Sequence, residues 1–159
     1  VVQAHGGEVK RLPSGLCCGA LHAHAGELEA ARERARRVVG AFRNSGAALL
    51  LTNSAGCGAA LKEYGEWLKD DPVFAEPAES LSARARELSE WLAVREGPAY
   101  LPLSLRVGYD APCHLLHGQG VSDAPVEVLC RVPELEVVTL PRADRCCGAA
   151  GTYGLLQRD

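Results

Sequence analysis

Two Cys-Cys-Gly triplets are the residues of this chain best suited to chemistry, Cys17-Cys18-Gly19 and Cys146-Cys147-Gly148. Adjacent cysteines place two sulfur atoms close together, and thiolates are ligands for soft metal ions and for iron-sulfur clusters. The glycine that follows lets backbone N–H groups approach bound sulfur atoms, and such hydrogen bonds tune the reduction potential of a cluster. We therefore expect the two triplets to hold a metal ion or an iron-sulfur cluster.

Two single cysteines accompany the triplets. Cys57 lies between two glycines, 39 positions after Cys18, and Cys113 lies 33 positions before Cys146. These unequal intervals fit one longer motif, in which a single cysteine, a Cys-Cys-Gly triplet and a glycine-flanked cysteine follow each other. The chain would then carry the back of one module and the front of the next. Its two incomplete ligand sets are Cys17, Cys18 and Cys57 in one and Cys113, Cys146 and Cys147 in the other.

Three thiolates in each set leave the kind of metal open. A four-iron cluster usually takes four protein ligands, so we expect a cluster in the complete protein and allow that this piece alone binds none. Zinc is the alternative, because His114 and His117 lie close to Cys113 and Cys/His sets bind zinc. The simpler role for these histidines is hydrogen bonding to the loop backbone. Cys130 lies among apolar residues outside either motif, and we interpret it as core packing.

The composition is that of a globular protein. Hydrophobic residues make up 47% of the 159 residues and charged residues 23%, which excludes the disordered and fibrous classes. The net charge of −3 gives no reason to expect a nucleic acid partner. No apolar run approaches the roughly 20 residues that span a bilayer. Seven cysteines without a visible secretion leader argue against a disulfide scaffold, so we expect a cytoplasmic protein with metal or redox chemistry.

Helices and strands in alternation must position the first cysteine set. Apolar residues recur at steps of three and four over Glu27–Phe42, which predicts an amphipathic helix. The run Ala47–Thr52 predicts a strand buried on both faces. We place Cys57 at the carboxyl end of that strand, where ligand sites collect in open α/β sheets. Two further helices are predicted, over Ala59–Leu68 and Pro77–Arg95.

The second half of the chain repeats these elements in a shifted order. Strands are predicted over Leu105–Tyr109 and Leu135–Leu140, and a short helix over Val126–Cys130. Cys113 follows the first of these strands, and a last helix is expected through Tyr153. Helices between strands indicate β-α-β crossovers, so we predict an α/β fold with parallel sheets in pseudo-duplicated, Rossmann-like modules. The modules would divide after residue 97, or the whole chain would form one compact unit.

The cysteine-bearing stretches resemble those of a known family. The chain is similar to the C-terminal region of the iron-sulfur subunit of bacterial glycolate oxidase. The cysteine-rich CCG modules of that family are shared with a subunit of heterodisulfide reductase and with the lactate-utilisation iron-sulfur proteins. The histidine-bearing segments favour the glycolate oxidase branch. The stretches that carry the resemblance are Cys17–His24, Asn53–Gly58, Lys62–Tyr64, Pro112–Leu115, His117 with Gln119, and Cys146–Tyr153.

The resemblance implies a redox role. Such a subunit would carry iron-sulfur clusters of the 4Fe-4S type and pass electrons from an FAD-containing partner, which oxidises glycolate to glyoxylate, toward an acceptor at the membrane. This chain would hold neither the flavin nor the hydroxyacid, and it would lie in the cytoplasm or at the inner face of the membrane. Related modules often close with Cys-x-x-Cys, but Ala60 stands at the place of the last cysteine. The alternatives are a heterodisulfide-reductase-like thiol/disulfide subunit and a zinc-binding structural or interaction module.

Overall fold

A computed structural model describes residues 1–145 of the chain. The second Cys-Cys-Gly triplet, with Cys146 and Cys147, and the helix predicted through Tyr153 lie outside the described residues. The helices are α1 (Ala20–His24), α2 (Leu28–Ser45), α3 (Ala55–Trp67), α4 (Ala75–Arg84), α5 (Leu88–Ala93) and α6 (Ala124–Leu129), with a short 3-10 helix at Gln3–His5 and a π-helical turn at His114–Gly118. The strands of this part are β1 (Leu50–Thr52), β2 (Ala85–Glu87), β3 (Leu105–Tyr109) and β4 (Leu135–Thr139).

Helix α2 forms because its apolar residues line one face, as the sequence predicts. The buried residues of that face are Ala31, Ala35, Val38, Val39 and Phe42. All of them except Ala31 pack with Leu61, Tyr64 and Leu68 of the α3 segment and with Leu81 of α4 in one hydrophobic core. Gly46 ends the helix in the left-handed region at φ 64°, where glycine is unstrained. The helix therefore runs three residues beyond the predicted end at Phe42.

Strands β1 and β2 pair in parallel. Leu50 lies opposite Ala85 and Thr52 opposite Glu87, and helices α3 and α4 connect the two strands. The predicted parallel sheet is confirmed, but its returning strand β2 lies in a segment that was predicted as helix, so this crossover was not predicted. The expected burial of β1 on both faces was wrong, because all three of its residues are only half-buried. In the described part of the chain β1 has a single partner strand, which leaves one edge uncovered.

The helix predicted over Pro77–Arg95 is interrupted, which corrects that prediction. Residues Ala85–Glu87 leave helix α4 and pair with β1, and Ala85 and Glu87 are buried there. A new helix then begins, because the Glu87 carboxylate accepts a hydrogen bond from the Ser89 backbone while the Glu90 carboxylate accepts one from the Glu87 backbone. The apolar stripe with a step of three or four residues is compatible with a helix throughout, and only pairing with β1 selects the strand.

Strands β3 and β4 form a second parallel pair. Leu105 lies opposite Leu135 and Tyr109 opposite Thr139, with helix α6 in the connection. The predicted bounds of β3 are confirmed, and β4 ends one residue before the predicted Leu140. Within residues 1–145 the two strand pairs are separate two-stranded sheets. The α/β class with parallel strands is therefore confirmed, while a pseudo-duplicated Rossmann-like arrangement stays a prediction.

Contacts join the segments on the two sides of residue 97. Helix α3 packs against the π-helical turn, and α5 packs against α6. The Arg131 guanidinium donates hydrogen bonds to the backbone carbonyls of Leu92 at 2.9 Å and Arg95 at 3.0 Å. These carbonyls end helix α5, where a cation is favourable. The division after residue 97 stays a prediction.

None of the helices within residues 1–145 is both long enough and apolar enough to cross a bilayer.

Candidate functional site

The first triplet forms a tight loop that only glycine permits. Gly19 starts helix α1 with φ 82°, in the left-handed region, and it is buried. A Cβ atom at this position would lie 3.0 Å from the backbone oxygen of Ala31 in α2. The absence of a side chain at Gly19 therefore lets the Cys17-Cys18 loop lie directly on helix α2.

Tyr64 holds the same loop from the other side. Its side chain is fully buried, and its hydroxyl donates a 2.7 Å hydrogen bond to the backbone carbonyl of Cys18. Burial, followed by the negative charges that Cys18, Cys17 and Cys57 carry when ionised, raises the pKa of the Tyr64 hydroxyl well above its usual range. Tyr64 is thus a permanent donor that anchors the loop, with all three thiols of the first set near it.

Cys57 meets Cys18 directly. The two Sγ atoms are 3.0 Å apart, and both side chains are half-buried. Cys57 lies in the first turn of α3 because that helix begins at Ala55, four residues earlier than predicted. Cys57 follows the carboxyl end of β1 along the chain, as predicted, but it lies in a helical turn rather than in a loop. Cys17, in contrast, is exposed at the rim of the pair.

The environment of Cys18 keeps its thiol protonated at neutral pH. Burial, followed by the hydrogen bond with Cys57, raises the pKa of Cys18 to about 12. Charges on Cys57 and Cys17 act in the same direction. A metal that binds here must displace this proton, since thiolate is the ligating form, and metal binding is then coupled to proton release.

Residues that follow Cys113 cover the start of helix α3. Gln119 donates a 2.9 Å hydrogen bond from its amide nitrogen to the backbone carbonyl of Ala55, and its amide oxygen is buried with no partner among residues 1–145. A Cβ atom on Gly58 would lie 2.4 Å from that amide nitrogen. A Cβ on Gly56 would meet His114 Nδ1 at 4.0 Å. The structure thus brings the neighbours of Cys113 against the neighbours of Cys57.

The histidines are engaged with other groups. His24 and His114 stack with their ring centres 5.1 Å apart, and His117 Nε2 lies 3.2 Å from the backbone oxygen of Asp144. His22 contacts the guanidinium of Arg34 at 3.1 Å. Within residues 1–145, Cys, His, Asp and Glu side chains form no group of three or more that could hold a metal ion. The Cys113, His114 and His117 set therefore does not come together as a metal site in the described part of the chain. Cys17, Cys18 and Cys57 do not form a group of three ligands there either, since only Cys18 and Cys57 meet.

The outcomes for the remaining cysteines differ. Cys130 is exposed, so its interpretation as core packing was wrong: it follows the end of α6, a helix with no buried residue. Cys113 is half-buried at the start of the π-helical turn. Cys146 and Cys147 lie outside the described residues, so the second ligand set stays a prediction.

Two residues near the thiols were not assigned a role from the sequence, Tyr64 and Gln119. Both fall within the stretches that carry the family resemblance, but neither is a usual ligand of an iron-sulfur cluster. The sequence feature that could have indicated the Gln119 contact is Gly58, because a glycine inside a helix indicates that another group approaches closely. That signal does not say which residue approaches.

Comparisons with known proteins agree with this cysteine pattern. A profile of the CCG family, described as a cysteine-rich domain, matches residues 1–62 and 107–158. No solved structure matches the chain.

Relatives of two kinds are similar to the chain. A protein named probable glycolate oxidase iron-sulfur subunit from Bacillus subtilis is 34% identical over 99% of this chain and 36% of its own length. The glycolate oxidase iron-sulfur subunit of Escherichia coli is 36% identical over 90% of this chain and 36% of its own length. Lactate utilization protein A of Lysinibacillus sphaericus is 32% identical over 88% of this chain and 61% of its own length.

The chain therefore spans between about a third and two thirds of the length of these relatives. The resemblance to the iron-sulfur subunits of glycolate oxidase and to the lactate-utilisation proteins is confirmed. On the match of the profile to most of its residues, the chain belongs to the CCG cysteine-rich domain family.

Proposed function

We propose that this chain is an iron-sulfur electron-transfer module of a glycolate oxidase type subunit. The observation that carries the proposal is the contact of the Cys18 and Cys57 thiols at 3.0 Å, with Cys17 beside them at the surface. Two similar proteins are named as glycolate oxidase iron-sulfur subunits, which supports this kind of cofactor.

Two of the donors, Cys18 and Cys57, lie close together, as a thiolate-bound metal centre requires. Two thiolates on one tetrahedral metal ion at about 2.3 Å lie about 3.8 Å apart, so this pair would need to separate by less than about 1 Å to bind one ion. A 4Fe-4S cluster takes one thiolate on each iron, so the pair would have to open further to bind two of its irons. Cys17 adds a third thiol from the adjacent position. When bound, an iron-sulfur cluster of the 4Fe-4S type would accept and release single electrons. The half-buried pair would shield one side of it, and the exposed Cys17 rim would face an electron donor or acceptor.

The second ligand set is part of the same proposal. Cys113 would act with Cys146 and Cys147, which lie outside the described residues, at an equivalent site of a pseudo-duplicated Rossmann-like module. Support comes from the profile match to two separate segments and from the two parallel strand pairs. Contacts between Gln119 and the start of α3 would keep the two sites at a constant separation.

The names of two relatives support a partner oxidase subunit, and the proposal extends this to a flavin and a membrane acceptor. The complete subunit would receive electrons from an FAD-containing subunit that oxidises glycolate to glyoxylate and pass them to an acceptor at the membrane. Such a subunit would lie in the cytoplasm, with peripheral contact at the inner face of the membrane. Because lactate utilization proteins are also similar, lactate is the competing hydroxyacid for the partner subunit.

Anaerobic reconstitution tests the cofactor. The 159-residue chain would be incubated with ferrous iron and sulfide under reducing conditions, desalted, and measured for bound iron, acid-labile sulfide and visible absorption. We expect a brown protein that contains iron and sulfide. The variants Cys18→Ser and Cys57→Ser should each lose most of the bound iron, because each removes one thiol of the pair.

Cys130→Ser is the matched control for these variants. It removes an exposed thiol outside both ligand sets and should leave iron and sulfide content unchanged. A colourless protein with zinc bound in preference to iron would favour the structural zinc module instead. Equal iron loss in Cys130→Ser would mean that the iron is bound without specificity, and it would contradict the assignment of the site.

A further inference from the structure

The Cys18 and Cys57 thiols are already close to bonding distance. Their sulfur atoms are 3.0 Å apart, and a disulfide places them at about 2.05 Å, so the bond requires an approach of about 1 Å. The two cysteines are 39 positions apart in sequence, so this proximity is a product of the fold.

Helix α3 holds both partners in place. It carries Cys57 in its first turn and Tyr64 two turns later, and the Tyr64 hydroxyl binds the Cys18 carbonyl at 2.7 Å. Gly19 packs against the backbone of Ala31 and prevents the loop from moving toward α2. Groups kept together in this way react as if at very high local concentration. An intramolecular bond between these thiols is therefore favoured over bonds to outside thiols.

We propose that Cys18 and Cys57 form a reversible disulfide when the chain carries no cluster, and that this disulfide blocks cluster assembly. Only the block of cluster assembly rests on the proposed function, because it requires the same two thiols to be cluster ligands. The oxidant is a small-molecule disulfide such as oxidised glutathione. One thiol of the pair first forms a mixed disulfide with glutathione, and the second thiol then displaces it. The two protein thiols lose two electrons and two protons, and one oxidised glutathione becomes two reduced glutathione molecules.

The neighbouring cysteines have a different environment. Cys17 and Cys130 are exposed, and neither has a thiol in hydrogen-bonding contact within the described residues. Each should stop at the mixed disulfide with glutathione, because no second thiol within residues 1–145 is in contact with it to displace the glutathione. Oxidation should thus give a protein disulfide between Cys18 and Cys57 but mixed disulfides with glutathione at the exposed thiols.

Peptide mapping of the cluster-free chain tests the bond. The reduced chain would be treated with oxidised glutathione, the remaining thiols alkylated, and the tryptic peptides identified by mass spectrometry. We expect peptide 12–32, which contains Cys17 and Cys18, linked to peptide 44–62, which contains Cys57. Fragmentation should place the link on Cys18. The link should persist in Cys17→Ser and disappear in Cys18→Ser, and Cys130 should carry glutathione.

Two results would overturn the disulfide. One is a wild-type chain in which Cys57 carries glutathione or remains a free thiol after oxidation. The other is a link that disappears in Cys17→Ser and persists in Cys18→Ser. Because fragmentation of the wild-type peptides locates the bond by itself, the test does not depend on the folding of either variant.

Iron uptake tests the block. The oxidised chain should take up about tenfold less iron and sulfide than the reduced chain, and dithiothreitol should restore uptake. Equal uptake by the oxidised chain would contradict the block. If the reduced chain takes up no iron while the disulfide maps as expected, the proposed function fails and the disulfide stands.

Discussion

Gly58 offers a sharp test of the contact between α3 and the segment after Cys113. Gly58 is buried next to the Gln119 amide, and an added Cβ would lie 2.4 Å from the amide nitrogen and 2.8 Å from the amide carbon. Gly58→Ala must therefore push the Gln119 side chain out of its place. The hydrogen bond from Gln119 to the Ala55 carbonyl would break with it.

Opposing effects set the size of the change. Overpacking of this kind costs about 1–3 kcal/mol, which includes the Gln119 hydrogen bond, because the clash is relieved when that side chain moves away. Alanine inside a helix regains about 1 kcal/mol relative to glycine. We expect Gly58→Ala to lower the free energy of unfolding by up to about 2 kcal/mol, and to be about 1–3 kcal/mol less stable than an alanine variant without the clash.

Urea unfolding followed by far-ultraviolet circular dichroism measures this difference. Gly56→Ala is the matched control, because it lies in the same helical turn and, among the described residues, its Cβ would meet only His114 Nδ1 at 4.0 Å. It should be at least as stable as the wild type. The double variant Gly58→Ala with Gln119→Ala should recover most of the loss, because the clash is gone. Equal stability of the two glycine variants, or strictly additive losses in the double variant, would refute the described packing.

Three further predictions concern single contacts. Tyr64→Phe keeps the buried ring but leaves the Cys18 carbonyl without its donor, so thermal unfolding should show that the free energy of unfolding falls by about 1–2 kcal/mol. Unchanged stability would contradict the role of Tyr64 in anchoring the loop. The Arg36 side chain donates a 2.7 Å hydrogen bond to Asp71, and this bond is the largest cause that lowers the pKa of the Asp71 carboxyl. The stability that Asp71 adds over Asp71→Asn should therefore be present above about pH 4 and vanish as the pH falls through the lowered pKa. Urea midpoints along a pH series would check this. Gly40 lies in the middle of α2, and a Cβ there would meet nothing within 4 Å in the part of the chain that the structure describes. Gly40→Ala should therefore raise the free energy of unfolding by about 0.5–1 kcal/mol, measured by the same urea midpoints, and a loss would show that the helix is crowded there.

Regular periodicity explains which elements the sequence predicts well. Helix α2 and strand β3 lie close to their predicted bounds because each has its own apolar period or turn signals at its ends. The parallel pairing follows from the order of strands and helices along the chain, since a helical crossover returns the next strand in the same direction.

Segments whose pattern fits two structures were predicted less well. Ala85–Glu87 continues the apolar stripe of α4, and its strand conformation comes from pairing with β1, a partner more than thirty residues away. The incomplete burial of β1 has a similar origin, because burial depends on how many strands and helices cover it. Local sequence carries neither piece of information.

The family, the parallel α/β class and the candidate ligand cysteines can be read from the linear chain, because ligand types and their spacing are properties of the sequence. Which thiols meet depends on the tertiary structure. It brings Cys18 to Cys57 across 39 positions, leaves Cys130 at the surface, and assigns Tyr64 and Gln119 to the support of the site. The physical reason is that contacts between distant segments depend on core packing and backbone clearance, such as the missing side chain at Gly19.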